Sequence, residues 1–396
     1  MKHTRKHWLA AALALLMLLF GTVFVSAADA SPDTVLKFGD DGKFTILHLT
    51  DTQDDQYPAK ELRSFLKTAI ETANPDLIIF TGDLVEDTRF GDFKDDFGIW
   101  EGVTVPGNKA KTRENAIKAA SFVLEILSDS GVPFAMVQGN NDYKVNVDNE
   151  SWLNLYDRYP GNLTVDMSEN SSGIDYRLPV YSADGSEVKL NLYCLDTQTS
   201  GIDTASVDWY KADSDAQKAA HQTTVPAFAF QHIPVDEISN LFTVCDAKDP
   251  DGVTAVTDAG IRRYKLAPGA HGYFSTIYQS DGESEEFAAW KQQGDVVAGF
   301  FGHMHQDGYS GTYDGIELNL TYGCEFAKSG PYGMRVITVD EEDVTKYENT
   351  TYTYADGAFT ADPYTAPQRS FMDKVGLFID SLLYIAKTLI KKVLPL

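Results

Sequence analysis

Five short apolar runs in this sequence each stop within a few residues of a carboxylate, an amide or an imidazole. Phe44–Leu49 leads to Thr50-Asp51-Thr52-Gln53, Leu77–Phe80 to Thr81-Gly82-Asp83, and Phe134–Val137 to Gln138-Gly139-Asn140-Asn141-Asp142. Ala227–Phe230 leads to Gln231-His232, and Val296–Phe301 to Gly302-His303-Met304-His305. Runs of this length and composition read as strands buried on both faces. Leu190–Leu195, Ile316–Leu320 and Met334–Val339 are of the same kind. Helical patterns lie between the first pairs: Lys60–Thr72, stopped by Asn74-Pro75, and Glu114–Leu127, stopped by Gly131 with Pro133 behind it. The early part is thus βαβαβ and the later part strand-rich. That order predicts an α/β sandwich of two sheets flanked by helices in preference to one parallel sheet. Open α/β sheets carry their sites at the carboxyl ends of strands, where Asp51 and Asp83 fall.

Eight histidines are present, and three of them, His232, His303 and His305, closely follow apolar runs. Two histidines at i and i+2 after a strand-ending glycine are aimed separately, so they suit two ions of a pair better than chelation of one. His48 lies inside a strand pattern and His221 in a polar loop, so both read as structural. His271 sits in a long insertion.

The ends of the chain differ from its middle. A basic start, MKHTRKHW, precedes an uncharged run, Leu9–Val25, and then Ser26, Ala27, Ala28 and Ala30. That order is an export signal, assigned to residues 1–30, with an uncleaved membrane anchor as the alternative. Both readings put the body of a secreted or extracytoplasmic protein outside the cytoplasm. Cleavage after Ala27 would remove three of the 33 basic side chains, Lys2, Arg5 and Lys6, and none of the 58 acidic ones. The formal net charge is already −25. Such a surface repels nucleic acid and favours small substrates drawn to a local positive site. Three cysteines, Cys194, Cys245 and Cys324, are too few for a disulfide framework and match no zinc spacing. Cys194 and Cys324 read as core.

Polar stretches at Glu86–Lys111, Asn146–Ser172, Gly201–Thr223 and Ile238–Glu285 read as long surface insertions. Residues 346–370 read as a linker or an edge segment. From Phe371 to Leu394 the polar side chains recur at nearly seven-residue spacing, a narrow stripe on an otherwise apolar helix over residues 371–396. Such a helix meets a partner, a membrane interface through Lys387, Lys391 and Lys392, or its own domain.

In this order, Asp51, Gly82-Asp83, Gly139-Asn140, His232 and Gly302-His303-x-His305 resemble the calcineurin-like metallophosphoesterases, which include the purple acid phosphatases. Tyr322-Gly323, Gly330 and Tyr332-Gly333 resemble the late segment of the purple acid phosphatase 29-like branch. The resemblance spans Lys43 to Val339 and implies a four-layer α/β/β/α sandwich as a catalytic domain over residues 31–345. It also implies two divalent or mixed-valence transition metals, Fe, Mn or Zn. Asp83 would bridge them, Asp51 and His305 would hold the first, and Asn140, His232 and His303 the second. Two ions about 3.5 to 4 Å apart share a hydroxide nucleophile and clamp phosphoryl oxygens. The implied activity is hydrolysis of a small phosphomonoester by metal-hydroxide attack. Glycines 82, 139 and 302 would let the backbone turn at the strand ends.

Three positions depart from the family. Gln53 stands at a first-metal position where many members carry His, and Glu86 replaces the tyrosine of the purple enzymes. Asn141 stands where a catalytic histidine often protonates the leaving group, and an amide cannot transfer that proton. His271 is a candidate for the missing acid. Two rival functions follow: a degenerate member that binds metal or phosphate without turnover, and a membrane-surface phosphodiesterase acting on lipid headgroups. Deleting residues 371–396 is expected to leave hydrolysis of a soluble ester nearly intact while weakening flotation with anionic vesicles or breaking an oligomer. A truncated chain that unfolds as a monomer would instead make this helix part of the core.

Overall fold

The computed structural model describes residues 34–86, 109–168, 172–257, 260–280, 284–326 and 330–361. The export signal at 1–30, the helix at 371–396 and most of the first polar insertion lie outside these residues. In the first half, β1 (Lys43–Leu49), α1 (Leu62–Ala73), β2 (Leu77–Thr81), α2 (Lys109–Asp129) and β3 (Phe134–Val137) alternate. They are followed by α3 (Asn149–Tyr156), β4 (Tyr176–Tyr181), β5 (Val188–Cys194), α4 (Thr204–His221) and β6 (Ala227–Gln231). Short strands β7 (Phe242–Val244), β8 (Val253–Thr257), β9 (Gly260–Leu266) and β10 (His271–Tyr273) come next, then α5 (Glu285–Gln293) and β11 (Val296–Phe301). The chain ends in β12 (Gly308–Tyr313), β13 (Ile316–Leu320), β14 (Tyr332–Asp340), β15 (Tyr347–Ala355) and β16 (Ala358–Ala361).

These strands make one six-stranded sheet, β16-β15-β14-β1-β2-β3, and one seven-stranded sheet, β10-β12-β13-β11-β6-β5-β4. A three-stranded sheet, β7-β9-β8, stands apart. β1, β2 and β3 are parallel to one another, as are β5, β6, β11 and β13, so ligand-bearing strand ends gather at one edge of each sheet. The two sheets meet through aromatic residues. Phe230 and Phe300 stack at 4.9 Å, and His48 of the first sheet sets its ring edge-on 5.6 Å from Phe230. Burying each such phenylalanine contributes on the order of 2 to 3 kcal/mol. Helices cover the outer faces, which gives the four-layer sandwich.

Each covering helix buries one narrow face. On α1, Leu62, Phe65, Leu66 and Ala69 recur at helical spacing and are buried, and Phe65 packs 5.0 Å from Tyr354. The helix ends at Asn74 in the left-handed conformation, whose N–H donates to Ile70 O. On α4, Val207, Tyr210 and Ser214 are buried, and the Asp203 side chain caps the helix by accepting from Ser206 N at 2.8 Å. This helix lies inside the stretch Gly201–Thr223 that reads from sequence as a loop. Its four buried side chains, Ser206, Val207, Tyr210 and Ser214, include two serines and so do not register as an apolar period. Asn146–Ser172 conceals α3, which is only eight residues long although Trp152, Leu155 and Tyr156 are buried on one face, and Ile238–Glu285 conceals β7 to β10, whose side chains are mostly half-exposed or exposed.

Arg335 of β14 is 1% exposed and ties the sheets together. Its guanidinium donates to Thr321 Oγ1 at 3.0 Å, Ser310 Oγ at 3.1 Å, Leu320 O at 2.8 Å and Asn349 Oδ1 at 2.7 Å. A methionine there would fill the space but leave several buried acceptors without donors. Arg335→Met is therefore expected to cost about 3 kcal/mol, measured as a shift in the urea midpoint. A loss below about 1 kcal/mol would mean that the network re-forms around the smaller group.

Candidate metal centre

The strand ends fold back under strain. Asp51, Gln53, Asp83, His303 and His305 take φ values of 54°, 37°, 52°, 76° and 45°, in the left-handed region that side chains with a Cβ avoid. Residues held this way cost on the order of 1 to 3 kcal/mol each and persist where the surroundings over-determine them. Here backbone hydrogen bonds between loops do so. Asp51 N donates to Gly82 O at 3.0 Å, Gln53 N to Asp83 O at 2.9 Å, and Gly323 N to His305 O at 2.6 Å.

Of the three glycines expected to make the turns, only Gly82 has a positive φ, +79°. The others are required for close approach. A Cβ on Gly139 would lie 2.2 Å from Asp83 N, and one on Gly302 would lie 2.0 Å from Thr50 Oγ1. At the last strand end His303 itself takes the left-handed turn.

The result is one connected cluster. Asp83 Oδ2 lies 2.6 Å from Gln53 Nε2 and 3.4 Å from His232 Nε2. On one side of it, Gln53 Nε2 lies 2.9 Å from His305 Nε2, which is 3.5 Å from Asp51 Oδ1. On the other, Asn140 Oδ1 lies 3.1 Å from His232 Nε2 and 2.9 Å from His303 Nδ1, and the two imidazoles approach to 3.3 Å. All six residues read from sequence as metal ligands, together with Gln53, thus come together. Asp51, Asp83 and His305 form a group with the mutual spacing of metal ligands.

Neighbouring groups fix how the side chains face. His232 Nδ1 is 2.8 Å from Thr81 O, to which it donates, so Nε2 is the ring atom turned toward Asp83. His305 Nδ1 lies 2.7 Å from Glu325 Oε2, which in the same way frees Nε2. Asp51 Oδ2 accepts from Thr50 Oγ1 at 2.8 Å and His303 N at 2.9 Å, whereas its Oδ1 is buried and accepts no hydrogen bond. Such an oxygen is costly unless a cation meets it. Asp142 accepts from Gly139 N and Val85 N and so ties the loop after β3 to the segment after β2. Burial and the nearby Asp83 push its carboxyl up to about 8.

The protonation pattern points the same way. Burial would lower the pKa of His232, but the carboxylates of Asp83 and Asp51 overcome it and raise it to about 9. Burial likewise opposes ionisation of Asp83, yet His232 draws it down to about 2. His303 is pushed down to about 3 by burial and by His232, which keeps it neutral. Two buried carboxylates therefore hold a proton on His232, and a metal cation would displace it. Carboxylate, amide oxygen and imidazole together suit Zn, Mn or Fe.

Other sequence candidates stand elsewhere. His48 is buried between the sheets, 2.7 Å from Thr81 Oγ1 and 2.9 Å from Thr321 Oγ1. His221 is the exposed last residue of α4, and His271 is exposed on β10, paired with Ser310 of β12. Glu86 is buried beside the cluster loops, its N–H donating to Asp54 O at 3.2 Å. Cys194 and Cys324 are buried, and all three cysteines are free thiols. Glu325, Thr50 and Asp142 support the cluster without being marked as ligands by the sequence pattern. Its place just beyond β13, beside Tyr322-Gly323, is the one sequence signal for Glu325.

The chain is 25% identical to the Arabidopsis thaliana protein named "Probable inactive purple acid phosphatase 14", over 87% of each chain. It is also 25% identical to "Probable inactive purple acid phosphatase 29" from the same plant, over 77% of this chain and 79% of that protein. A solved dimetal phosphatase from Danio rerio superposes with a TM-score of 0.49 and 12% identity, over 81% of this chain and 99% of that one. The sequence profile of the calcineurin-like phosphoesterases matches residues 44–307, which include all six of the clustered ligand candidates, and the chain belongs to that family.

Proposed function

We propose that the chain is an exported phosphomonoesterase whose strand-end cluster holds two transition-metal cations. The observation that carries this reading is the place of Asp83, in contact with Gln53 on one side and His232 on the other. Asp51, Asp83 and His305, with Gln53 beside them, would hold the first cation, and Asp83, Asn140, His232 and His303 the second. When bound, the pair supplies an activated water at neutral pH and positive charge for the phosphoryl oxygens. Gln53 joins the first set if its amide turns over, because its oxygen would then replace the nitrogen that faces Asp83 and His305. Export rests on the basic and apolar start of the sequence alone. Among the described residues no helix is long and apolar enough to cross a membrane.

The chain's own residues then act by position. Asn141 N donates to Asp83 Oδ1 at 2.8 Å and holds that carboxylate in place. Its side-chain Oδ1 accepts from Asn140 Nδ2 at 3.1 Å and from Lys144 Nζ at 3.0 Å, which leaves Nδ2 as the donor available to a phosphoryl oxygen. Neither group of this amide transfers a proton. A leaving group that needs one must take it from water or from another side chain.

A second reading has its own support. Relatives named as inactive purple acid phosphatases, together with Asn141 and Gln53, favour a protein that binds metal and phosphate without turnover. Retention of both carboxylates and all three imidazoles favours turnover. A panel of aryl, alkyl and diester phosphates, run on protein of known metal content, decides between them. Full metal with no turnover on any ester would establish the inactive form.

Elemental analysis is expected to find about two transition-metal ions per chain, with Asp83→Asn losing more metal and activity than any other single change. If Asp51→Asn and His303→Ala each lost one ion while Asp83→Asn kept both, the bridging assignment would fail.

Asn141 generates a separate prediction. Proton donation typically contributes about 10² to 10⁴-fold. Aryl and acyl phosphates, whose leaving groups depart without a proton, are expected to react well and alkyl phosphates poorly. Asn141→His should raise alkyl ester hydrolysis selectively. Similar wild-type rates on both classes, unchanged by Asn141→His, would reveal another acid.

A further inference from the structure

Asn141 opens a short turn whose next members are pinned to the body of the protein. Asp142 accepts from Gly139 N at 2.9 Å and Val85 N at 3.3 Å, the Tyr143 hydroxyl donates to Asp196 Oδ2 at 2.6 Å, and Val145 is fully buried. Between them Lys144 is exposed. Its N–H donates to Asn141 O at 2.9 Å and its ammonium to Asn141 Oδ1 at 3.0 Å, so main chain and side chain both return to the asparagine. Asn141 is in turn tied to Asp83 Oδ1 through its N–H and to Asn140 Nδ2 through its amide oxygen. The ammonium is thereby held in a fixed relation to the cluster.

Burial decides from which side a ligand arrives. Asp51, Asp83 and His232 are buried, whereas Asn140, His303 and His305 are partly exposed. The cluster therefore opens to solvent past the amide and the two later histidines, and Lys144 stands at that opening. Burial and then His232 lower the pKa of His303, and Lys144 adds to the lowering, which puts its ammonium within electrostatic range of that imidazole. In a chain with a formal net charge of −25, a lysine held here runs against the charge of the whole molecule.

At this point the two classes of phosphate ester part. Near neutral pH a monoester carries about two negative charges over three non-ester oxygens, and a diester about one over two. A pair of cations clamps phosphoryl oxygens of either class. The remaining position distinguishes them, being a charged oxygen in the monoester and a neutral ester oxygen with its substituent in the diester. An ammonium there makes a charge-assisted hydrogen bond to the first and collides with the substituent of the second.

We propose that Lys144 is the substrate-selecting residue of this site, receiving the third oxygen of a dianionic phosphoryl group beside the Asn141 amide and so favouring monoesters over diesters. The inference rests on the phosphomonoesterase reading for its substrate and on the geometry of the turn for its residue.

The test compares metal-loaded, full-length wild type, Lys144→Met and Lys144→Arg. Calorimetry gives Kd for inorganic phosphate and dimethyl phosphate. Turnover gives kcat/KM for p-nitrophenyl phosphate and bis(p-nitrophenyl) phosphate, whose common leaving group removes proton donation from the comparison. Lys144→Met should weaken phosphate binding and monoester kcat/KM at least about tenfold, the scale of a lost charge-assisted hydrogen bond, and shift the diester values by less than about threefold. Lys144→Arg keeps the charge and should recover most of the loss. Metal content should match the wild type in both variants, because an ammonium has no lone pair to offer a cation. Equal losses for monoester and diester, no loss in Lys144→Met, or no phosphate binding by the wild type would overturn the proposal. Metal lost together with phosphate in Lys144→Met would also overturn it, by making the lysine a support of the Asp83 loop. Lys144-dependent phosphate binding without turnover on any ester would uphold the role of Lys144 and refute the phosphomonoesterase reading, whereas monoester turnover indifferent to Lys144 would do the reverse.

Discussion

Two carboxylates, Asp51 and Asp83, lie fully buried at the ends of adjacent parallel strands, and their charge has to be met inside the protein. Much of the loop structure at this edge of the sandwich serves that need. Thr50 Oγ1 and the His303 N–H meet one oxygen of Asp51, and the Asn141 N–H meets one oxygen of Asp83. His232 faces the remaining oxygen of Asp83, and His305 that of Asp51. Without further cations the balance requires a proton on His232. With cations in place of that proton, the same side chains would supply the ligands.

Strain is the cost of that geometry. Five residues of the cluster occupy left-handed backbone, and at Gly82, Gly139 and Gly302 a single methyl group would collide with a neighbouring ligand loop. None of this strain serves the sandwich core, which aromatic residues between the sheets and a buried arginine already secure. Loop geometry that opposes stability and is nonetheless kept by cross-loop hydrogen bonds is what a preorganised site requires. The loops bring the six candidate donor residues from five strands into one connected cluster.

The buried strands were legible because a strand covered on both faces is a continuous apolar run, and its ends show where the backbone emerges. Phe134–Val137, Val296–Phe301 and Ile316–Leu320 coincide with observed strands. The ligand candidates followed from the same logic. Elements with only one buried face were less legible. Helix α4 reads as a polar loop because its contacts with the sheet are few and spaced, and the β7-β9-β8 sheet reads as an insertion because water covers much of it. Glu325 is one of 58 acidic residues, and its burial and 2.7 Å approach to His305 mark it far more clearly than its place just beyond β13 does in the sequence. Strain left a misleading trace. The glycine before His303 suggested that Gly302 makes the turn, whereas the histidine turns and the glycine makes room for Thr50.

The charge of the whole molecule bears on what the cluster must do. A formal net charge of −25 repels a phosphate ester that is itself dianionic near neutral pH. At contact range the ester would meet two buried carboxylates, with Lys144 as the cationic side chain nearest the Asn141 amide. One ammonium and one protonated imidazole do not offset that field, because His232 is already committed to Asp83. Two divalent cations reverse the local sign, and their field is strongest where the protein has removed water. In this chain the metals would therefore serve binding before they serve chemistry. That ordering also explains how a member without the usual histidine at position 141 keeps a complete ligand set: the amide suffices to orient a phosphoryl oxygen once the cations have drawn it in.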